Sequence, residues 1–264
     1  QFVNAGTSVA VHRSDFYVGL SPRTNVVRTG EENTIDVVTL EALGSPNNAP
    51  YPGADLDVTV YEFAWNSVYE RAADGAYYWR NDVERTPIIT STVTTGRDGM
   101  ADFTWTPERG GQYQIEASAS DEAGNEVSSV TYVWAGGGSA EQGGFVSWRR
   151  ENNDRIELVA DKALYAPGDI ARILVPSPFS GAVDALITIE RNGVLNSQIV
   201  TLESNSELID IPITVDHIPN VFVGVVLAKG TDETNPTPAI RIGYVELPVD
   251  VGQKQLTIDI EPSA

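Results

Sequence analysis

Apolar and polar positions alternate with a period of two along nearly the whole chain. VTLEAL, DLDVTVYEF, ADFTW, YQIEASA, SSVTYVW, ARILV, DALITIE, SQIVTL and RIGYVEL all follow this rhythm and are rich in β-branched residues. Clusters of Gly, Pro, Asn and Asp, the residues that supply turn conformations, separate them. No window carries apolar residues at i, i+3, i+4 and i+7 over successive turns, and SVYERAAD at 67–74 reads as at most one helical turn. Many short strands spaced about 8–12 residues apart predict an all-β chain of antiparallel, immunoglobulin-like sandwiches.

The rhythm also repeats. FYVGLSPRTNVVRTGEENTIDVV, starting at residue 16, aligns without gaps on DRIELVADKALYAPGDIARILV, starting at 154, an offset of 138. Leu20 meets Leu158, Gly30 meets Gly168, Ile35 meets Ile173 and Val37 meets Val175. In each copy a strand leads through a Gly-bearing turn into a second strand. Between the copies, AGGGSAEQGG (135–144) has no large apolar side chain and reads as a flexible linker. The expected organisation is a tandem array: 1–14 the tail strand of a preceding domain, 15–137 one sandwich of about seven strands, 138–144 a linker, 145–250 a second such sandwich, and 251–264 the start of a third. A chain that opens on Gln1 and closes on LTIDIEPSA, both within strand-like patterns, is expected to be a segment of a longer polypeptide.

Composition narrows the chemistry. With 17 Lys+Arg against 37 Asp+Glu, the formal net charge of −20 repels phosphate and argues against nucleic acid or an anionic membrane surface as partner. No apolar run approaches the ~20 residues of a membrane span. The chain has no Cys, so it can build no disulfide, thiolate metal site or thioester. His12 and His217 are the only histidines and no Ser sits in a G-x-S-x-G elbow, so no catalytic residue, cofactor site or metal site is expected. Asp121-Glu122-Ala123-Gly124-Asn125 is the best calcium candidate, but it lacks the spacing of an EF-hand loop and reads as a hairpin turn. The aromatic group Trp65, Tyr69, Tyr77, Tyr78 and Trp79 could be a sugar-stacking platform. Core packing, or a surface for a neighbouring module, is the plainer reading, since Tyr77, Tyr78 and Trp79 must alternate between the faces of a strand. Pro167-Gly168 reads as a type II turn.

One segment stands out by what it lacks. Between the apolar strands VFVGVVLA and RIGYVELPV lies Lys229, Gly230, Thr231, Asp232, Glu233, Thr234, Asn235, Pro236, Thr237, Pro238, Ala239, with Arg241 just beyond. No residue from Thr231 to Pro238 can anchor in a core, and neither proline can donate to a ladder, so this is expected to be an exposed, mobile loop open to proteases.

Two stretches, 161–195 and 211–230, resemble the bacterial α2-macroglobulins. D-K-x-x-Y-x-P-G-D-x-A-x-I-L-V-x-S-P-F (161–179), I-E-R-x-G-V-L (189–195) and P-N-V-x-V-x-V-V-L (219–227) form a dense ordered set. HRSDFYVGLSP (12–22) and TTGRDGMADFTWTPERGGQYQIEASASDEAGN (94–125) are similar to the macroglobulin-like domains of the same family. The resemblance implies a fragment of a large, broad-spectrum protease inhibitor, periplasmic or extracellular and anchored to the membrane. Its partners would be target proteases, cleaving a bait region, and adjoining macroglobulin-like domains. It further implies that Lys229 to Arg241 stands where such a bait interrupts its domain, with Lys229 and Arg241 the expected points for a trypsin-like enzyme. The alternatives are immunoglobulin-like spacers of a bacterial surface protein or adhesin, and an accessory carbohydrate-binding module.

Overall fold

The computed structural model describes residue 6 and residues 11–42, 49–137 and 145–254. They form fifteen β-strands and two short 3-10 turns, Val215–His217 and Gly252–Lys254, with no α-helix among the described residues. The first half contains β1 (Phe16–Pro22), β2 (Val26–Arg28), β3 (Asn33–Glu41), β4 (Asp55–Arg71), β5 (Tyr77–Thr94), β6 (Met100–Trp105), β7 (Gly111–Ser120) and β8 (Glu126–Gly136). These make a sheet ordered β1-β3-β6 facing a sheet ordered β2-β8-β7-β4-β5. The second half contains β9 (Val159–Ala160), β10 (Ile170–Pro176), β11 (Val183–Glu190), β12 (Val194–Leu202), β13 (Ser206–Pro212), β14 (Asn220–Lys229) and β15 (Ala239–Pro248). Its sheets run β13-β10-β9 and β12-β11-β14-β15.

The period of two converts directly into two cores. Ile35 and Val37 of β3 and Leu56, Val58 and Val60 of β4 point inward in the first half. Ile173 and Val175 of β10 and Val221, Val223, Val225 and Leu227 of β14 do so in the second. The internal repeat extends to register. Pro22 pairs with Ile35 across β1 and β3, and the same positions shifted by the repeat, Ala160 and Ile173, pair across β9 and β10. Gly30 and Gly168 both take positive φ, at 84° and 103°. At the second, Asp169 donates its N–H to Ala166 O (3.0 Å), closing the turn over Pro167-Gly168.

Three expectations need adjusting. Residues 67–71 of SVYERAAD lie in β4, not in a helical turn, because Tyr69 pairs with Trp79 and Arg71 with Tyr77 across the hairpin. Cross-strand pairing overrides the helical propensity of Glu-Arg-Ala-Ala. Ala135 and Gly136 belong to β8 rather than to the linker. Of the expected tail strand at 1–14, residues 11–14 carry no strand. Residues 1–5, 7–10 and 138–144 lie outside the described residues, as do 255–264 of the third-domain start expected at 251–264, whose described part carries the 3-10 turn Gly252–Lys254.

The β4–β5 hairpin outgrows its sheet. β4 pairs with β7 only over Asp57–Phe63, yet stays paired with β5 to Arg71↔Tyr77. Residues 64–71 and 77–84 therefore form a two-stranded arm roughly 25 Å long, at about 3.3 Å per residue. Pro87 is tolerated because β5 is an edge strand with no partner on its outer side among the described residues.

Candidate functional site

The segment singled out in the sequence connects β14 to β15, whose ladder is continuous from Asn220↔Pro248 to Lys229↔Ala239. Lys229 ends β14, and Ala239 and Arg241 lie within β15, so the connection itself is Gly230 to Pro238. All of it is exposed except Asn235, which is half-buried. The strands bury Val225 and Leu227 in the core, and the loop contributes nothing to that core.

The loop is nonetheless organised. Asp232 Oδ1 accepts hydrogen bonds from the backbone N–H of Thr234 and of Asn235 (both 2.7 Å), an Asx turn. Asn235 Nδ2 donates to Gly230 O (2.9 Å) and Thr237 O (2.7 Å), drawing the two limbs together. Lys229 Nζ donates to Ala182 O (2.8 Å) and pairs with Asp232 Oδ2 (2.8 Å). The lysine, with the Thr234 hydrogen bonds, holds the Asp232 carboxyl well below the usual carboxylate range. Arg241 pairs with Asp154 Oδ1 (2.9 Å), and its guanidinium lies 5.7 Å from the Phe179 ring centroid. The two basic residues at the loop's edges are therefore engaged, with side chains only 10% and 23% exposed.

The other sequence candidates resolve as architecture. Asp121 Oδ1 accepts from Ala123 N and Asn125 N, and Oδ2 accepts from Ser14 Oγ, so donors rather than a cation surround it. Those bonds, led by the Asn125 side chain, lower its pKa to about 2. His12 Nδ1 sits 2.6 Å from Tyr17 Oη. His217 Nδ1 accepts the N–H of Thr214 (3.3 Å). Burial lowers its pKa, with the positive charge of Arg191 acting in the same direction and Asp216 opposing it. Trp65, Tyr69, Tyr77 and Trp79 share one face of the arm, but not as an open row: Arg149 lies 5.9 Å from the Trp65 ring and Arg150 4.5 Å from that of Trp79.

Those arginines belong to a junction that pattern reading did not find. Residues 147–152 run along the arm: Asn81 Nδ2 donates to Arg150 O (2.9 Å) and Arg150 N donates to Asn81 Oδ1 (3.1 Å). The same strand of chain continues to β15, where Ile242 N donates to Asp154 O (2.8 Å) and Ile156 N to Ile242 O (3.0 Å). Beneath it, Val26 of the first half packs with Val146, Trp148, Leu174 and Leu208 of the second. Asn25 N donates to Asp161 O (2.8 Å) and Gly137 N to Ser206 O (2.7 Å) across the same boundary. The tripeptide Trp148-Arg149-Arg150, basic and aromatic in an acidic chain, was the available signal.

Comparison with known proteins adds the lineage. Residues 19–136 match the family described as bacterial macroglobulin domain 6. Residues 156–264 match the α2-macroglobulin bait region domain. The chain is similar to the α2-macroglobulin of Escherichia coli K12, 24% identical over 98% of this chain and 15% of the relative. It is similar also to that of Xylella fastidiosa 9a5c, 23% identical over 94% of this chain and 14% of the relative. The chain thus spans only about one-seventh of these relatives. Among solved structures, the native conformation of E. coli α2-macroglobulin aligns at 19% identity over 89% of this chain and 15% of that one, with a TM-score of 0.42. Salmonella α2-macroglobulin reacted with methylamine aligns over the same shares with a TM-score of 0.40.

Proposed function

Because this chain belongs to the bacterial α2-macroglobulin family, we propose that it is the scaffold segment of a protease-trapping inhibitor. In that reading Gly230 to Pro238 is the stretch that attacking proteases cut. The segment itself performs no chemistry, and the whole protein works outside the cytoplasm, where its target proteases are. One observation carries the reading: within the region matching the bait region domain, nine residues, all exposed but Asn235, join two fully paired strands. A cut there severs the chain without removing a single core side chain, so the event is recorded while the sandwich persists.

Limited proteolysis with several enzymes of unrelated specificity tests this. Subtilisin, elastase and a Glu-specific endoproteinase, the last at Glu233, are expected to cut first between 230 and 238. Trypsin is expected to lag, because Lys229 and Arg241 lie in the ladder with their charges engaged. If these enzymes instead cut first in the Gly-rich stretch 138–144 or at the tip of the arm and leave 230–238 whole, the assignment of the loop fails.

A further inference from the structure

Where the two halves meet, between the arm and residues 148–159, lies a cavity of about 90 Å³. Its walls hold Trp65 and Trp79 from the arm, Trp134 from β8, and Trp148, so four of the chain's five tryptophans line one space. Arg149, Arg150, Arg155 and Arg241 line it too, against only Glu151 and Glu157. Four of seventeen basic residues converge here in a chain of formal net charge −20.

The local charges do not cancel. Arg149 is paired with Glu151 (3.1 Å) and Arg241 with Asp154 (2.9 Å). Arg150 has no acidic partner among the described residues. It donates from Nη2 to Pro178 O (3.3 Å) and otherwise lies over Trp79. Arg155 has neither an ion pair nor a side-chain hydrogen bond among the described residues, and Glu157 is not within ion-pair distance of any of the four arginines. Burial and the nearby Arg241 both press on the Arg150 charge, lowering its pKa. A half-buried guanidinium facing another guanidinium is costly unless an anion lies between or beside them. Guanidinium forks match the geometry of carboxylates and phosphates, and stacking on an aromatic face fixes the fork's plane.

We propose that this junction cavity is an oxyanion site: Arg150 and Arg155 hold one carboxylate-, sulfate- or phosphate-sized group against the walls formed by Trp79 and Trp148. The volume sets the class, since drug-sized ligands need some 300 Å³ or more. The group is a free inorganic anion or a single side-chain carboxylate of a polypeptide reaching in. The inference does not depend on the assignment of the 230–238 loop. Arg241 and Trp79 come from different halves, so an occupant would brace the two against each other.

Tryptophan emission reads the site directly. The purified chain is titrated with sodium phosphate, and separately with N-acetyl-glutamate amide, against sodium chloride at matched ionic strength. A saturable change beyond the chloride control is expected with at least one. Whichever half-saturates lower identifies an inorganic or a polypeptide source. Arg150→Gln and, separately, Arg155→Gln are expected to raise the half-saturation concentration at least tenfold. Arg155 is exposed and is held only through its backbone, whose N–H donates to Asn153 Oδ1 (2.8 Å), so its side-chain variant tests the site even if Arg150→Gln folds poorly. Titrations indistinguishable from chloride, or a saturable signal that survives unchanged in folded Arg155→Gln, would overturn the proposal.

Discussion

Asp161 shows what a single buried side chain contributes here. Its Oδ1 accepts from Tyr165 Oη (2.7 Å) and from Arg172 N (2.8 Å). Lys162 Nζ donates to Asp169 Oδ2 (3.2 Å), which also accepts from Ala166 N (3.2 Å). The D-K-x-x-Y-x-P-G-D run is thus one closed hydrogen-bonded hub, and Tyr165 N and O tie it to Pro248 at the end of β15 and to Asp250 just beyond. In the first half, Tyr113 Oη donating to Arg109 O (2.7 Å) does the same kind of work. His217 is where such a contact meets pH. Its Nδ1 accepts a backbone N–H only when unprotonated. Its folded pKa lies below the ordinary value of 6.5. The unfolded chain therefore takes up a proton at a higher pH than the folded one. The stabilisation is complete above about pH 6.5 and is lost as pH falls below it. Thermal midpoints measured from pH 8 to pH 5 are expected to drop more for the native sequence than for His217→Gln. Parallel slopes would assign the pH sensitivity elsewhere.

The arm is the element whose length has no counterpart in its own sheet. An isolated two-stranded hairpin is marginal in water, so residues 64–84 need the chain at 147–152 alongside. Asn81 supplies the paired bonds to Arg150 and also accepts from Ser67 Oγ (2.7 Å). Asn81→Ala removes both links. At about 1 kcal/mol for each of the two net hydrogen bonds to Arg150, local opening of the arm should become roughly thirtyfold more frequent. Tryptic cutting at Arg71 and Arg80 should accelerate accordingly, as followed by mass spectrometry, and an unchanged rate would mean that something other than this clasp holds the arm. The strands of this element were legible, since DLDVTVYEF and TSTVTT alternate cleanly. Their continuation was not: Ser-Val-Tyr-Glu-Arg-Ala-Ala carries helix formers, and only pairing with Tyr77–Asn81 makes its first five residues a strand. The β14–β15 connection was legible for the opposite reason, because a segment without apolar residues makes no long-range claim. What sequence could not give was its internal order, which rests on where Asp232 and Asn235 place their side chains.

For the whole molecule, the repeat predicted two sandwiches but not how they meet. The junction depends on pairs far apart in sequence, such as Arg172 with Glu31 (2.9 Å) and Arg28 with Asp210 (3.4 Å), and no local pattern announces such pairs. The most restrictive point is Gly136, at the end of β8. A Cβ there would stand 2.5 Å from Ser206 O and 2.7 Å from Leu174 Cδ1. The first contact is backbone, which cannot swing aside as a side-chain tip could. The neighbouring Gly137 N–H bond to Ser206 O depends on the same close approach. A Gly136→Val substitution must therefore push the halves apart at the small cluster of Val26, Val146, Trp148, Leu174 and Leu208. The two larger cores share no residue with that cluster, so each sandwich should keep its own stability. Calorimetry is expected to show unfolding resolved into two transitions, and small-angle scattering a longer maximum dimension, with far-UV circular dichroism unchanged. If the variant instead unfolds at the native midpoint in the native number of steps, with unaltered dimensions, the close approach at Gly136 is not what holds the two sandwiches together.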